Sequence, residues 1–163
     1  MKEALLMEKA TVKCVLGPVD FNTGANAGLR IDMQKFKRVT FILALAAGTT
    51  PDSHTVSFQQ HDAASSGNSA DLLIASPWFH KVNAATSFTK VVPDAPASSF
   101  DIDTVVGDTK FEAVFEVLQE ELTVAGANRW ISINVTDSGG AQLGAVIAIC
   151  HQATEKPAYG KIV

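Results

Sequence analysis

Apolar and polar residues alternate with a period of two in several short segments, the pattern of β-strands that bury one face. The clearest is residues 39–45, whose odd positions are all large and apolar. Its other face carries Thr40, Ile42 and Ala44, so we expect both faces to be covered. Residues 54–61, 130–136 and 144–151 alternate in the same way, with these side chains predicted to point inward: Val56, Phe58, Ile131, Ile133 and Val135.

Turn-forming residues separate these strands in pairs. The Gly/Thr/Pro/Asp stretch at 48–53 lies between residues 39–45 and 54–61, and Asp-Ser-Gly-Gly-Ala at 137–141 precedes residues 144–151. Two alternating runs joined by a turn are typical of a β-hairpin. The pattern therefore predicts two hairpins.

Residues 111–122 fit either a helix or a strand. A helix would collect Phe111, Val114, Phe115, Leu118 and Leu122 on one stripe, whereas a strand would place Phe115 and Val117 together on one face. The neighbouring segments on both sides are predicted strands. We therefore favour a strand from about Ala113 to Leu122.

The remaining segments complete an all-β organisation. Residues 1–10 predict a short amphipathic helix or arm, and residues 11–16 a strand that Gly17-Pro18 ends. Residues 77–110 are irregular, and residues 152–163 form a loose tail. Short strands at spacings of about 8–12 residues predict an antiparallel β-sandwich, jelly-roll-like. We divide the chain into residues 1–16, an arm and first strand, and residues 17–163, one sandwich domain.

Length and charge narrow the classes of function. The 163 residues, of 17.3 kDa, suit about one domain. The net charge is −4, and the densest basic run, Lys35, Lys37 and Arg38, is interpreted as a solvated strand entrance. Direct nucleic-acid binding is therefore not expected. A mean hydropathy of +0.15 hints at surface buried against a partner.

No membrane or secretory segment is expected from the sequence. The longest apolar run, residues 39–47, falls well short of the ~20 residues of a membrane helix. The amino-terminal residues are too acidic and their apolar run is too short for a signal peptide. Cys150 lies in an apolar strand and is interpreted as a buried thiol, with a bridge to Cys14 as the alternative. A cytoplasmic origin is the corresponding expectation.

Residues with catalytic chemistry do not form a recognisable site. His54 and His61 are seven apart in one predicted strand, so they fall on opposite faces and cannot share a metal ion. His61-Asp62 is interpreted as a surface strand end. The sequence has no Gly-x-Ser-x-Gly elbow and no phosphate-binding loop. Solvated acidic faces account for the pairs Asp101/Asp103 and Glu116/Glu120. We therefore expect no catalytic residue, metal or cofactor, and no enzyme activity.

Two apolar clusters are candidates for an interface. Pro77-Trp78-Phe79 either plugs the end of a sheet or is an exposed anchor for another subunit. The predicted arm carries a second cluster. The candidate interface residues are Leu5, Leu6, Met7, Trp78 and Phe79. A carbohydrate-binding module, using Trp78, Trp130 and Tyr159 for stacking, is the alternative from a different class.

Two sequence blocks resemble a family of small virion proteins of tailed bacteriophages, the head decoration or stabilisation proteins. The first is Leu-Arg-Ile-Asp-Met-Gln-Lys-Phe-Lys-Arg-Val-Thr-Phe at 29–41, followed by His-Thr-Val-Ser-Phe-Gln-Gln-His-Asp at 54–62. The second is Asn-Arg-Trp-Ile-Ser-Ile-Asn-Val-Thr at 128–136, followed by Gly-Ala-Val-Ile-Ala-Ile-Cys-His at 144–151. Lys35 departs from the family, where a glycine is common, and residues 78–110 form a longer middle section than the family pattern.

The resemblance implies a structural protein without catalytic residues or cofactors. Its implied partners are the major capsid protein of the same virion and further copies of itself, as a homotrimer. Its implied location is the capsid exterior, after assembly in the host cytoplasm, with no nucleic-acid or membrane contact. A neck, turret or tail component of the same particle is the alternative within this class.

Overall fold

Two antiparallel sheets face each other across one apolar core in the computed structural model of the chain. The structure describes residues 6–24, 26–48, 54–82, 85–102, 110–123, 128–137 and 139–153. The predicted all-β antiparallel sandwich is confirmed. Its only described α-helix, α1 (Leu6–Lys9), precedes the first strand.

Sheet 1 has six strands, which run from one edge to the other in the order β1, β12, β4, β10, β7, β8. Strand β4 is central because it pairs with β12 on one side and with β10 on the other. The bounds are β1 (Ala10–Asp20), β4 (Phe36–Leu45), β7 (Trp78–Val82), β8 (Thr89–Val91), β10 (Phe111–Leu118) and β12 (Leu143–Ala153).

Sheet 2 is built on β11 and β5, which pair with each other. Strands β2 and β3 pair with β11, and strands β6 and β9 pair with β5. The bounds are β2 (Asn26–Ala27), β3 (Ile31–Asp32), β5 (Thr55–His61), β6 (Ser69–Asp71), β9 (Ser99–Asp101) and β11 (Trp130–Val135).

Aromatic side chains from both sheets form the centre of the core. The Phe58 ring of sheet 2 lies 5.7 Å from Phe41 and 5.3 Å from Phe115 of sheet 1, measured between ring centroids. Phe100 packs 6.0 Å from Phe58 in an edge-to-face arrangement. Such tilted contacts are favourable for aromatic rings and bury large apolar areas. The sandwich is therefore closed by packing alone, without a disulfide, since Cys14 and Cys150 are both free.

The inward side chains of the predicted strands are confirmed. Phe111, Ala113, Phe115 and Val117 are buried in β10, as a strand requires and a helix would not allow. This strand ends at Leu118, earlier than predicted, and continues as a 3₁₀ turn over Gln119–Glu121. The five inward residues predicted for β5 and β11 are buried, as are Cys150 and the predicted inward residues of β4, Val39, Phe41, Leu43 and Leu45.

Both predicted hairpins are wrong. Strand β4 belongs to sheet 1 and β5 to sheet 2, and likewise β11 belongs to sheet 2 and β12 to sheet 1. In both cases, consecutive strands therefore belong to opposite sheets. A turn signal and an alternating pattern are the same for a hairpin and for a sheet-to-sheet connection, so the local sequence could not separate them.

Three other predictions need correction. Gly17-Pro18 does not end the first strand, because β1 continues to Asp20 with register shifts around this pair. A proline is tolerated there because β1 is an edge strand. The middle section, residues 77–110, contains β7, β8 and β9. Of the predicted tail, Gln152 and Ala153 extend β12, and residues 154–163 lie outside the described part of the chain.

Candidate functional site

The outer face of sheet 1 carries a continuous row of apolar side chains. Registers place Cys14, Ile147, Ile42, Val114 and Phe79 directly opposite one another across β1, β12, β4, β10 and β7. Five strands at the usual spacing make this row about 19 Å wide. We call these five residues the apolar row.

The apolar row faces away from the core because its members alternate with buried residues. Ile42 lies between Phe41 and Leu43, both fully buried, and Ile147 lies between Val146 and Ala148. Ile147 itself is 42% exposed. β-Branched residues favour the pleated strand on either face, so the backbone forms the same sheet whether the row is covered or not. Strand formation therefore does not explain why the side chains of the apolar row are left exposed.

A polar cluster of Arg38, Thr40, Glu116 and His151 borders the apolar row on one side. The Thr40 hydroxyl lies 3.2 Å from Glu116 Oε1 and 3.0 Å from His151 Nε2. Arg38 Nε lies 3.9 Å from the same carboxylate oxygen. Burial and the Arg38 charge lower the pKa of His151, and the Glu116 charge opposes this shift.

The hydrogen bonds of this cluster fix the position of the Thr40 side chain. A carboxylate can only accept, so the Thr40 hydroxyl donates to Glu116. The hydroxyl has a single proton, so His151 Nε2–H donates to the Thr40 oxygen. These polar groups form a border along one side of the apolar row.

A second charged pair borders the apolar row on its other side. Lys81 Nζ lies 3.0 Å from Glu112 Oε2, and the same ammonium lies 5.2 Å from the centre of the exposed Phe88 ring. An apolar centre with charged residues around it is the usual anatomy of a protein–protein interface. The outer face of sheet 1 has this anatomy.

The outer face of sheet 2 differs in chemistry. Its centre consists of Ser57, Gln59, Ser132 and Asn134, which face one another across β5 and β11. Ser132 Oγ and His61 Nε2 are hydrogen-bonded at 2.9 Å, and both residues are buried. The prediction of His61 as a surface strand end is therefore wrong. The sandwich therefore has one apolar and one polar outer face.

The predicted interface residues are divided between the surface and the core. Trp78 is only 7% exposed and stacks on Phe115. Of the two interpretations of this cluster, the plug therefore holds for Trp78, and its inclusion among the candidate interface residues is wrong. Phe79, the next residue on β7, points to the opposite face and joins the apolar row. An alternating strand necessarily separates two adjacent side chains in this way.

The arm residues are exposed at the β1 edge of sheet 1. Leu6 is 52% and Met7 56% exposed on α1, which packs beside β1 and β12. Leu5 lies outside the described residues. Ile42, Val114 and Ile147 were not among the predicted interface residues. Their only signal was that the strands are apolar on both faces, which also fits a sheet covered by other parts of the chain.

Two surface concavities lie beside sheet 1. One, of about 410 Å³, is lined by Lys37, Arg38, Leu118, Gln119 and Glu120 near the polar cluster. The other, of about 380 Å³, lies where the β8 edge meets β9 of sheet 2, with Trp78, Val91, Val92 and Phe100 in its walls. We call the second one the edge pocket.

The described residues contain no group of three or more histidine, cysteine, aspartate or glutamate side chains placed to hold a metal ion. Among these residues, no helix has the length and apolar character needed to cross a membrane.

No protein-family profile matches the chain, and no curated protein matches it in sequence. Among solved structures, it is similar to a Clostridium thermocellum xylanase 10B fragment with CBM22-1 and GH10 modules, complexed with xylohexaose. The TM-score is 0.40 at 11% identity, over 90% of this chain and 26% of that one.

Disulfide-linked pili of Bacillus endospore appendages give a TM-score of 0.31 at 11% identity, over 93% of this chain and 97% of theirs. Infectious bursal disease virus (Gt strain) gives a TM-score of 0.31 at 9% identity, over 90% of this chain and 42% of that one. The chain thus spans about a quarter of the xylanase fragment and under half of the viral chain. These matches assign neither a family nor an activity.

Proposed function

We propose that this chain is a virion structural protein that binds and stabilises an assembled bacteriophage head shell, without enzyme activity. The observation that carries the proposal is the contrast between the two outer faces of the sandwich. The apolar row, bordered by charged residues, is the docking surface, whereas the outer face of sheet 2 is polar at its centre. The resemblance to head decoration proteins, carried by residues 29–41, 54–62, 128–136 and 144–151, supports the choice of partner.

The shape of the apolar face favours a broad protein partner. The row extends about 19 Å across neighbouring strands of a sheet. A small ligand needs a concave site that encloses most of its surface. A repeated shell subunit offers a broad surface to which many copies can dock in the same way. The partner is therefore the major capsid protein in its assembled state.

Stabilisation of the shell follows from mass action. A protein that binds the assembled shell and not the free subunit shifts the equilibrium toward assembly, by an amount that grows with its concentration relative to the dissociation constant. No chemical step is required. The proposed location is the capsid exterior, as the resemblance to head decoration proteins implies.

Co-sedimentation with head shells that lack this chain tests the proposal. The full chain is expected to saturate at about one copy per shell subunit and to raise the temperature at which the heads rupture. Ile147→Asp puts a charge in the centre of the apolar row and is expected to weaken binding at least tenfold, about 1.4 kcal/mol or more. Leu73→Asp is the matched control, because Leu73 is 54% exposed and lies outside the row.

Equal binding of the two variants would show that the apolar row is not the docking surface. Saturation at a few copies per particle would replace the decoration role with a neck, turret or tail role. Failure to bind heads, together with glycan binding that requires Trp130, would refute the virion role in favour of a carbohydrate-binding module.

A further inference from the structure

The proposed function does not involve the edge pocket, which is lined by apolar, aromatic and acidic side chains. Val91 and Val92 supply apolar walls, Trp78 and Phe100 add aromatic surface, and Asp94 contributes an exposed carboxylate. Val92 is 62% exposed. The volume of the edge pocket, about 380 Å³, falls within the ~300–1,000 Å³ of small-molecule binding pockets. The pocket therefore suits a segment in which apolar side chains stand next to a positively charged residue.

The α1 segment presents this chemistry. Leu6 and Met7 expose more than half of their surface, and Lys9 follows them as an exposed cation in the same turn. The segment packs against β1 and β12 but leaves these apolar side chains uncovered. Two exposed apolar side chains and one lysine on α1 thus complement the apolar walls and the aspartate of the edge pocket.

Within one chain α1 does not reach the edge pocket. It lies at the β1 edge of sheet 1, whereas the pocket lies at the β8 edge. Five strand spacings separate these edges, about 24 Å. We propose that the edge pocket receives α1 of a second copy of this chain, with Leu6 and Met7 against Val91 and Val92 and with Lys9 near Asp94.

This contact is heterologous, since each copy gives an arm at one edge and receives an arm at the other. Heterologous contacts generate closed rings or continuing filaments, depending on the rotation between copies. The inference uses residues outside the apolar row and holds whether or not the proposed function is correct. If the outer face of sheet 1 lies on a shell, both edges lie in the plane where neighbouring copies meet.

Sedimentation equilibrium of the full chain, without any shell, tests the contact. The wild-type protein is expected to form species larger than a monomer as its concentration rises. Met7→Asp, on the arm, and Val92→Asp, in the pocket, are each expected to weaken association at least tenfold. Leu29→Asp, at a leucine that is 68% exposed and belongs neither to α1 nor to the edge pocket, is expected to associate as the wild type does.

Mixing the two variants separates a head-to-tail contact from any symmetric one. The Met7→Asp chain keeps an intact pocket and the Val92→Asp chain keeps an intact arm. An equimolar mixture is therefore expected to form heterodimers that do not grow further. Lys9→Glu is expected to weaken association as well, and Asp94→Lys in the same chain to restore it.

A wild-type protein that stays monomeric at all concentrations would overturn the inference. So would a mixture that stays monomeric, or association that survives both Met7→Asp and Val92→Asp. Loss of association through Ile147→Asp but not through the edge variants would also overturn it, because copies would then pair through the apolar row.

Discussion

Acidification is expected to destabilise the folded chain through histidines held in their neutral form. His80 lies inside the core, with its ring 5.2 Å from Trp78 and 5.7 Å from Phe111, and burial lowers its pKa. Burial also lowers the pKa of His61 and His151; nearby arginines act in the same direction, and neighbouring carboxylates oppose them.

The sign follows from proton linkage. Because the folded pKa values lie below the ordinary histidine pKa of 6.5, the unfolded chain binds protons below pH 6.5 that the folded chain does not bind. Stability is therefore lost as the pH falls below 6.5, and the slope vanishes below the folded pKa values. Each histidine contributes at most about 1.4 kcal/mol per pH unit.

Together the three histidines set an upper limit of about 4 kcal/mol of lost stability between about pH 6.5 and 5.5. This is a large share of the roughly 5–15 kcal/mol that stabilise a typical domain. The carboxylate of Asp32 does not offset the loss in this window. Burial raises its pKa, but hydrogen bonds from Arg129 and the Gln34 amide outweigh burial, and the net shift is downward from 3.8.

Urea unfolding followed by tryptophan fluorescence, at about pH 7.5, 6.5 and 5.5, measures this slope. His80→Phe removes one titrating group from the core and is expected to reduce the slope. Phe111→Leu is the control, because it disturbs the same ring contact without removing a histidine and should keep the wild-type slope. A stability that is constant or higher at the lowest pH would refute the reasoning, as would a wild-type slope in His80→Phe.

Three further predictions concern the core and the thiols. Phe58→Ala is expected to lower the free energy of unfolding by about 3–5 kcal/mol, and Phe58→Leu by less; equal losses would contradict a close-packed aromatic centre. Gly144→Ala forces a methyl group against neighbouring atoms and should cost about 1–3 kcal/mol in urea unfolding, whereas Gly17→Ala, with open space around it, should not. In the native protein only Cys14 should react with an aromatic disulfide reagent at neutral pH. Cys150 is buried with a pKa raised by desolvation to about 11, and two reactive thiols would contradict this.

The strands could be predicted because their signal is local. Alternation in residues 39–45 and 130–136 fixes which side chains face the core, and the structure buries those side chains. The choice of a strand over a helix for Phe111–Leu118 was correct for a different reason, the presence of strands on both sides. Pairing was not local, so both predicted hairpins were wrong although all four of their strands exist.

The candidate site shows the same division between local pattern and long-range placement. Phe79 was predicted as an interface residue, but its neighbour Trp78 was predicted with it, and the two point to opposite faces of β7. Ile42, Val114 and Ile147 are far apart in the chain, and only the registers of β4, β10 and β12 bring them into one row.

Periodicity within single segments is enough to predict the all-β class, the inward faces of the main strands and the buried state of Cys150. A strand that buries one face alternates apolar and polar residues, and this pattern is visible in the local sequence. The tertiary fold sets which strands pair, which sheet each strand joins and which apolar outer face stays uncovered. These features depend on contacts between segments distant along the chain, and a strand that is apolar on both faces gives no local signal of whether another layer covers it.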